Sequence, residues 1–160
     1  MSIDFPVTAA VRFLREKKID FTPHLYNYVE HGGTSESAAQ LGVDEHRVIK
    51  TLVFETNEKK PLVVLMHGDR EVSTKNLARL IGVKLVEPAS ADRATKWTGY
   101  IFGGTSPFGT KTRVAVYIES SIFDLDKIFI NGGKRGFLVE IDPAALNILN
   151  AQQVDVAISN

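Results

Sequence analysis

The sequence predicts an α+β fold, a single domain over residues 1–160 with a mixed β-sheet and short helices around it. Three observations carry this expectation. Helix-period and strand-period apolar patterns alternate along the chain, with no linker, low-complexity tract or repeat between them. "RVIKTLVFE" and "PLVVLMH" are β-rich runs split by the polar "TNEKK", the pattern of an antiparallel hairpin. The length of 160 residues, with 44% apolar and 24% charged side chains, suits one globular core that needs no metal or disulfide.

The elements follow in order. Val7, Ala10, Val11 and Leu14 fall at helical spacing, so a first helix is expected from Pro6 to Lys18, with Pro6 in the first helical position. "FTPHLYNYV" reads as a strand, placed at an edge by Pro23. "TSESAAQLG" reads as a short helix with Thr34 or Ser35 as N-cap and Gly42 just past its end. After the hairpin, Ser73 caps a helix that Gly82 ends. "VKLVE" follows as a strand, then a short helix capped by Ser90. "GYIF", "RVAVYIE", "KIFI" and "FLVEI" are expected strands; Asp142-Pro143 opens a last helix through Leu149, and "VDVAI" closes the sheet.

Composition narrows the function. Nineteen basic and nineteen acidic residues cancel, which disfavours a coat for long duplex but not a contact with a single-stranded end. The absence of cysteine excludes disulfides, thiolate metal sites and a cysteine nucleophile. The four histidines never fall at i, i+4 on one helix, so no metal or other cofactor is expected. No apolar run approaches ~18 residues and no leader pattern opens the chain, which predicts a cytosolic protein without membrane contact.

Two glycine-rich segments, "GGTSPFGTKT" from Gly103 and "NGGKRG" from Asn131, are the candidate functional features. The first is not a phosphate-binding P-loop: Thr110 stands where the lysine belongs, and a strand pattern follows instead of a helix. Ser106 is followed by Pro107 and Phe108, which excludes a nucleophile elbow. Two readings remain. The segments are turns, with Asn131-Gly132 at a hairpin tip, or they line a pocket whose backbone donors meet a ligand oxygen. Lys50, among Val48, Ile49, Leu52, Val53 and Phe54, either guards a sheet edge or lines that same pocket. Tyr26 and Tyr28 lie on one face of the second element, where either hydroxyl could reach a ligand.

"IKTLVF" around Lys50, "TGYIFGGTSPFG" at 98–109 and "INGGKRGFLVEI" at 130–141 resemble the YbaK/prolyl-tRNA-synthetase-associated-domain family of aminoacyl-tRNA deacylases, over nearly the whole chain. The resemblance implies a strongly curved, barrel-like mixed sheet wrapped by helices. It also implies a trans-editing hydrolase that cleaves the ester of a wrongly attached small amino acid from a transfer RNA, typically one for proline. The partner so implied is the 3′ acceptor end of aminoacyl-tRNA, with prolyl-tRNA synthetase as a candidate second one; oligomeric state stays open. In that pattern Lys50 contacts substrate near the terminal adenosine or the phosphate end, and Gly103 and Gly104 give backbone contacts at the scissile carbonyl. Tyr26, Thr34, Thr105, Ser106, Pro107, Gly132, Gly133 and Leu138 are the expected substrate contacts. The family has no side-chain nucleophile, and the substrate assists the attacking water. Cysteinyl-specific members carry an aromatic near Thr34, a small hydroxyl residue near Leu138 and an acid near Ala145, so the pocket here is of different polarity. The alternatives are a non-catalytic tRNA-end binding module and a regulatory domain for a small amino acid or nucleotide.

Overall fold

The computed structural model describes residues 3–159. Its elements in chain order are α1 (Ala9–Glu16), β1 (Thr22–Leu25), α2 (Gly33–Leu41), β2 (Val48–Thr56), β3 (Pro61–His67), β4 (Arg70–Val72) and α3 (Thr74–Ile81). Then come β5 (Val86–Pro88), α4 (Ala91–Thr98), β6 (Ala115–Glu119), β7 (Ile128–Lys134), β8 (Phe137–Ile141), β9 (Gln152–Val154) and β10 (Ala157–Ser159). Turns of 3-10 helix occupy Glu45–Arg47, Ser120–Asp124 and Pro143–Leu149.

The main sheet runs β1-β8-β7-β2-β3-β6-β9, and β5 joins β2 off that path. Pairings β2–β7, β3–β6 and β6–β9 are parallel and the others antiparallel, so the sheet is mixed as expected. It is not a closed barrel, because β1 and β9 end the path unjoined to each other. Pro23 does lie in an edge strand, β1.

The sheet buries both faces, and strand alternation sorts the side chains between them. On one face, Val11 and Leu14 of α1 pack with Ile49, Val63, Leu65, Ile130 and Val139. On the other, Leu77 and Ala78 of α3 meet Phe54, Leu62, Val64 and Met66. A smaller cluster of Ala38, Val48, Phe129 and Leu138 lies beneath α2. No helix among the described residues is long and apolar enough to cross a membrane.

Several local expectations give way to longer-range contacts. Helix α1 starts at Ala9 rather than Pro6, because Thr8 Oγ1 accepts from Val11 N and supplies the cap. Gly32, not Thr34 or Ser35, is the N-cap of α2, since the Thr34 hydroxyl donates to Glu45 instead. "GYIF" forms no strand: the chain there is irregular and buries Tyr100, whose hydroxyl donates to the Phe108 carbonyl. "VDVAI" splits, with β9 on β6 and β10 on β4 in a separate two-stranded sheet. The β7–β8 hairpin turns at Arg135-Gly136 rather than Asn131-Gly132, which fall inside β7 at a register shift. Ser73 and Ser90 cap α3 and α4 as expected.

One buried ion cluster fixes α4. The Glu55 side chain is 1% exposed and accepts from Arg93 Nε at 2.7 Å, from Arg93 Nη2 at 2.9 Å and from Lys59 Nζ at 2.9 Å. The Arg93 hydrogen bonds, then that of Lys59, hold the Glu55 carboxyl below its ordinary value of 4.5. A lowered folded-state pKa stabilises the fold above the ordinary value, and that contribution is lost as pH falls through the lowered one. Arg93→Met should therefore speed amide exchange in α4 and β5 while leaving the β2–β3 hairpin protected. It should also flatten the acid limb of stability below pH 4.5; exchange mass spectrometry and denaturation against pH check both.

Candidate active site

The site begins with a strand that changes partners. β2 pairs with β7 only at Val48 and Ile49. It pairs with β5 only at Phe54, Glu55 and Thr56, and Ala89 N donates to Val53 O at 3.1 Å. Between these contacts, residues 50–52 have β3 as their only strand partner. The sheet forks there, and a cavity of about 830 Å³ fills the gap.

Because the cavity sits in the fork, both faces of β2 reach it. Lys50, Leu52 and Phe54 line it from one face, Thr51 and Val53 from the other. Val53 O points toward β5, so by strand alternation the amide and carbonyl of Thr51 point into the gap. Thr51 Oγ1 is the single buried side-chain polar atom without a hydrogen-bond partner among the described residues. An unmet buried hydroxyl beside open backbone groups is the mark of a surface built to receive a polar ligand.

Lys50 is 18% exposed. Its Nζ donates to Arg70 O at 2.5 Å and stands 3.7 Å from Glu71 Oε1. One hydrogen bond and one ion pair thus hold the ammonium at the cavity wall from one side and leave two donors unused. The turn that supplies Arg70 is itself fixed. Asp69 accepts from His46 Nδ1 at 2.8 Å and from Arg70 Nη1 at 2.9 Å. His46 stacks on buried His67, whose Nε2 accepts from Ser121 Oγ at 2.8 Å. Burial pushes His67 below its ordinary 6.5, so it stays neutral in that stack.

The remaining walls are mixed. Leu138, Ala89, Ala91 and Ala94 give apolar surface, and Tyr26, Tyr28, Thr34, Thr105 and Asn131 give polar edges. The tyrosines lie beyond the end of β1. Burial raises the Tyr26 phenol above its ordinary 10.0, keeping it a neutral donor. Thr34 Oγ1 is engaged with Glu45 Oε2 at 2.8 Å and Gly68 O at 3.2 Å.

The two glycine segments meet through Asn131. Its Nδ2 donates to Gly103 O at 3.1 Å, and its Oδ1 accepts from Gly133 N at 2.6 Å and Lys134 N at 3.1 Å. Gly103 lines the cavity at φ +86°, and a Cβ there would stand 2.8 Å from the Tyr28 hydroxyl, so the position requires glycine. Gly104, Ser106, Pro107, Gly132 and Gly133 do not line the cavity. Gly104 N already donates to Ile101 O, and Ser106 Oγ is buried, accepting from Phe108 N. Gly132 packs under the Phe137 ring, and its carbonyl accepts from Thr8 Oγ1. Ala145 packs against the α1-side core, away from the cavity.

Of the expected site residues, the fork therefore gathers Lys50, Gly103, Tyr26, Thr34, Thr105 and Leu138. Thr51, Glu71 and Asn131 join them without having been expected. Thr51 follows Lys50 in "IKTLVF", and Asn131 opens the second glycine segment, so both lie inside motifs that the sequence singles out.

The bridging role of Asn131 has a measurable consequence. Asn131→Ala should destabilise the protein by about 1–3 kcal/mol in urea unfolding, the scale of leaving hydrogen-bond partners unmet. The loss should come with faster exchange at the Gly133 and Lys134 amides.

Residues 30–148 match the family model described as the aminoacyl-tRNA editing domain. The chain is 32% identical over 151 residues to "Putative Cys-tRNA(Pro)/Cys-tRNA(Cys) deacylase EbsC" of Enterococcus faecalis, covering 93% of this chain and 92% of that one. It is 30% identical over 109 residues to a proline–tRNA ligase of Streptococcus equi subsp. equi, covering 68% of this chain but 18% of the ligase. A solved structure described as "a putative trans-editing enzyme for prolyl tRNA synthetase" superposes with a TM-score of 0.84 at 20% identity, covering 98% of this chain and 100% of that one. With a family model spanning residues 30–148 and a relative matched along nearly its full length, the chain belongs to the aminoacyl-tRNA editing family.

Proposed function

We propose that this member of the family is a trans-acting aminoacyl-tRNA hydrolase that removes a small, wrongly attached amino acid, with tRNA(Pro) as the carrier and the cytosol as the place of action. The observation that carries the reading is the Lys50 ammonium at the fork, beside the open backbone and hydroxyl of Thr51. An ester is cleaved when water adds to the carbonyl carbon and negative charge gathers on its oxygen. The carbon–oxygen bond to the ribose then breaks, and the ribose oxygen takes a proton.

A cation and polar hydrogens already aimed at that oxygen stabilise the transition state without rearranging. Lys50 is the group proposed for this, either at the oxyanion or at an adjacent substrate oxygen, with Gly103 and Thr51 lending backbone. The cavity hydroxyls of Thr34, Ser37 and Thr105 donate to protein acceptors. Thr51 Oγ1, the free cavity hydroxyl, has no hydrogen-bonded base to activate it, and the proposed route is direct attack by water, assisted by the substrate, without a covalent intermediate. Leu138 and Thr34 are the proposed wall against the side chain of the amino acid, and Tyr26 is a proposed donor to the substrate.

Two outcomes test the proposal. Lys50→Ala should keep its fold and lose about 10²-fold or more in kcat, the scale of one well-placed electrostatic donor. Single-turnover deacylation measures this, and near-normal turnover would remove Lys50 from the chemistry. Against a panel of aminoacyl-tRNAs, the protein should hydrolyse an alanyl, seryl or cysteinyl ester and spare prolyl-tRNA. Leu138→Ser should reorder the small groups without abolishing activity, because an apolar wall discriminates a methylene by only about 1–3 kcal/mol. Rapid cleavage of correctly charged prolyl-tRNA contradicts editing. Tight tRNA-end binding without ester loss would instead support the non-catalytic module.

A further inference from the structure

At the rim of the cavity, the segment after α4 holds out a large aromatic ring. Phe102 is 69% exposed, yet it borders the cavity together with Val29 and His31. A lone exposed apolar side chain is ordinary, but here the backbone that carries it is anchored. Arg135 Nε donates to Phe102 O at 2.8 Å, and the same guanidinium lies 4.9 Å from the centroid of the Tyr28 ring. Tyr28 in turn abuts Gly103. Two other segments thus fix the base of Phe102 and leave its ring in solvent.

The adjoining β7–β8 turn is basic. Lys134 and Arg135, at the β7–β8 turn, are exposed, and neither forms an ion pair among the described residues. Glu36 borders the cavity from α2. An open aromatic face next to unneutralised cations is the pairing that binds single-stranded nucleic acid: a base stacks on the ring and its phosphate meets the cations.

We infer that Phe102, Lys134 and Arg135 form a subsite for the nucleotide preceding the terminal adenosine of a tRNA 3′ end. The base of that nucleotide stacks on Phe102, and its phosphodiester lies against Lys134 and Arg135. The inference rests on the proposed placement of the aminoacyl-adenosine in the fork. A formal net charge of zero accords with a contact this small, since one or two phosphates need no basic field over the whole molecule.

Three substrates with one aminoacyl group test it: aminoacyl-adenosine, the aminoacyl-CA dinucleotide and aminoacyl-tRNA. In the wild-type protein, kcat/KM should rise from nucleoside to dinucleotide. Phe102→Ala should lower kcat/KM for the dinucleotide and the tRNA about tenfold more than for the nucleoside, the effect of losing one base–aromatic stack. Phe102→Tyr should restore it. Lys134→Gln should reduce the salt slope of log kcat/KM for the dinucleotide by roughly 0.7, one single-strand phosphate contact. Lys134 is the cleaner charge variant, because Arg135 also holds the rim segment. A structural role alone would lower all three substrates equally, and that result overturns the subsite. Anisotropy with uncharged, labelled CCA trinucleotide separates this inference from the hydrolase reading. Trinucleotide binding weakened by Phe102→Ala, with no ester hydrolysed by the wild type, overturns the hydrolase and supports the subsite. Trinucleotide binding indifferent to both Phe102→Ala and Lys134→Gln overturns the subsite even if hydrolysis is fast.

Discussion

Everything at the site follows from β2 exchanging one neighbour for another partway along its length. A strand inside a sheet normally satisfies its backbone on both sides; here residues 50–52 have β3 alone. Unmet backbone groups and the unpartnered Thr51 hydroxyl cost stability when they are sheltered from water. Such a gap persists only if the surrounding structure holds it open. Cores on both sheet faces supply the general hold, and two polar devices supply the local one. On the β5 side, the Glu55–Arg93 fork pins α4. On the β7 side, Asn131 stitches the glycine segments together.

The same arrangement explains why Lys50 tolerates apolar neighbours. The open edge at residues 50–52 lies inside the cavity and not at the rim of the sheet, so Lys50 does not guard an outer edge. Its charge is met by the Arg70 carbonyl and by Glu71, both supplied by β4. β4 is only three residues long and is paired by β10 from near the chain's end. The far end of the sequence thereby braces the wall against which Lys50 rests. His46 and Asp69 brace the preceding turn from behind.

Features that depend on neighbours in sequence were legible; those set by distant partners were not. The β2–β3 hairpin, the Ser73 and Ser90 caps and Gly42 after α2 are local matters, and each reads directly. Thr34 looks like a cap but finds Glu45 and Gly68, and Asn131-Gly132 looks like a hairpin tip but forms the bulge that reaches Gly103. β4 and β10 have three residues each, too few to show a period. At the site, the family resemblance carried Lys50, Tyr26 and Leu138 to the cavity. It could not separate glycines that face the cavity from those behind it. That distinction rests on which side of the backbone Tyr28, Phe137 and the 134–135 backbone occupy.

If the proposed editing function holds, selectivity must likewise come from local shape rather than from capacity. A cavity of about 830 Å³ lies near the upper end of ordinary ligand pockets, far more room than a small amino acid needs. Such a volume is consistent with a nucleoside and its aminoacyl group together, so total space cannot exclude a prolyl ring. Exclusion has to act where the side chain of the amino acid meets a wall that cannot yield. Leu138 is 4% exposed and packed with Val48, Phe129 and Ala38, so its position is fixed by a core cluster rather than by a loop. Thr34 is tethered through its hydroxyl, which donates to Glu45 Oε2 at 2.8 Å with Gly68 O at 3.2 Å. A rigid apolar wall rejects excess volume by steric cost more strongly than it rewards a good fit. On the proposed editing reading, such a wall would separate amino acids by size first, and alanyl from seryl or cysteinyl only through the few polar groups that Thr51 and Tyr26 present.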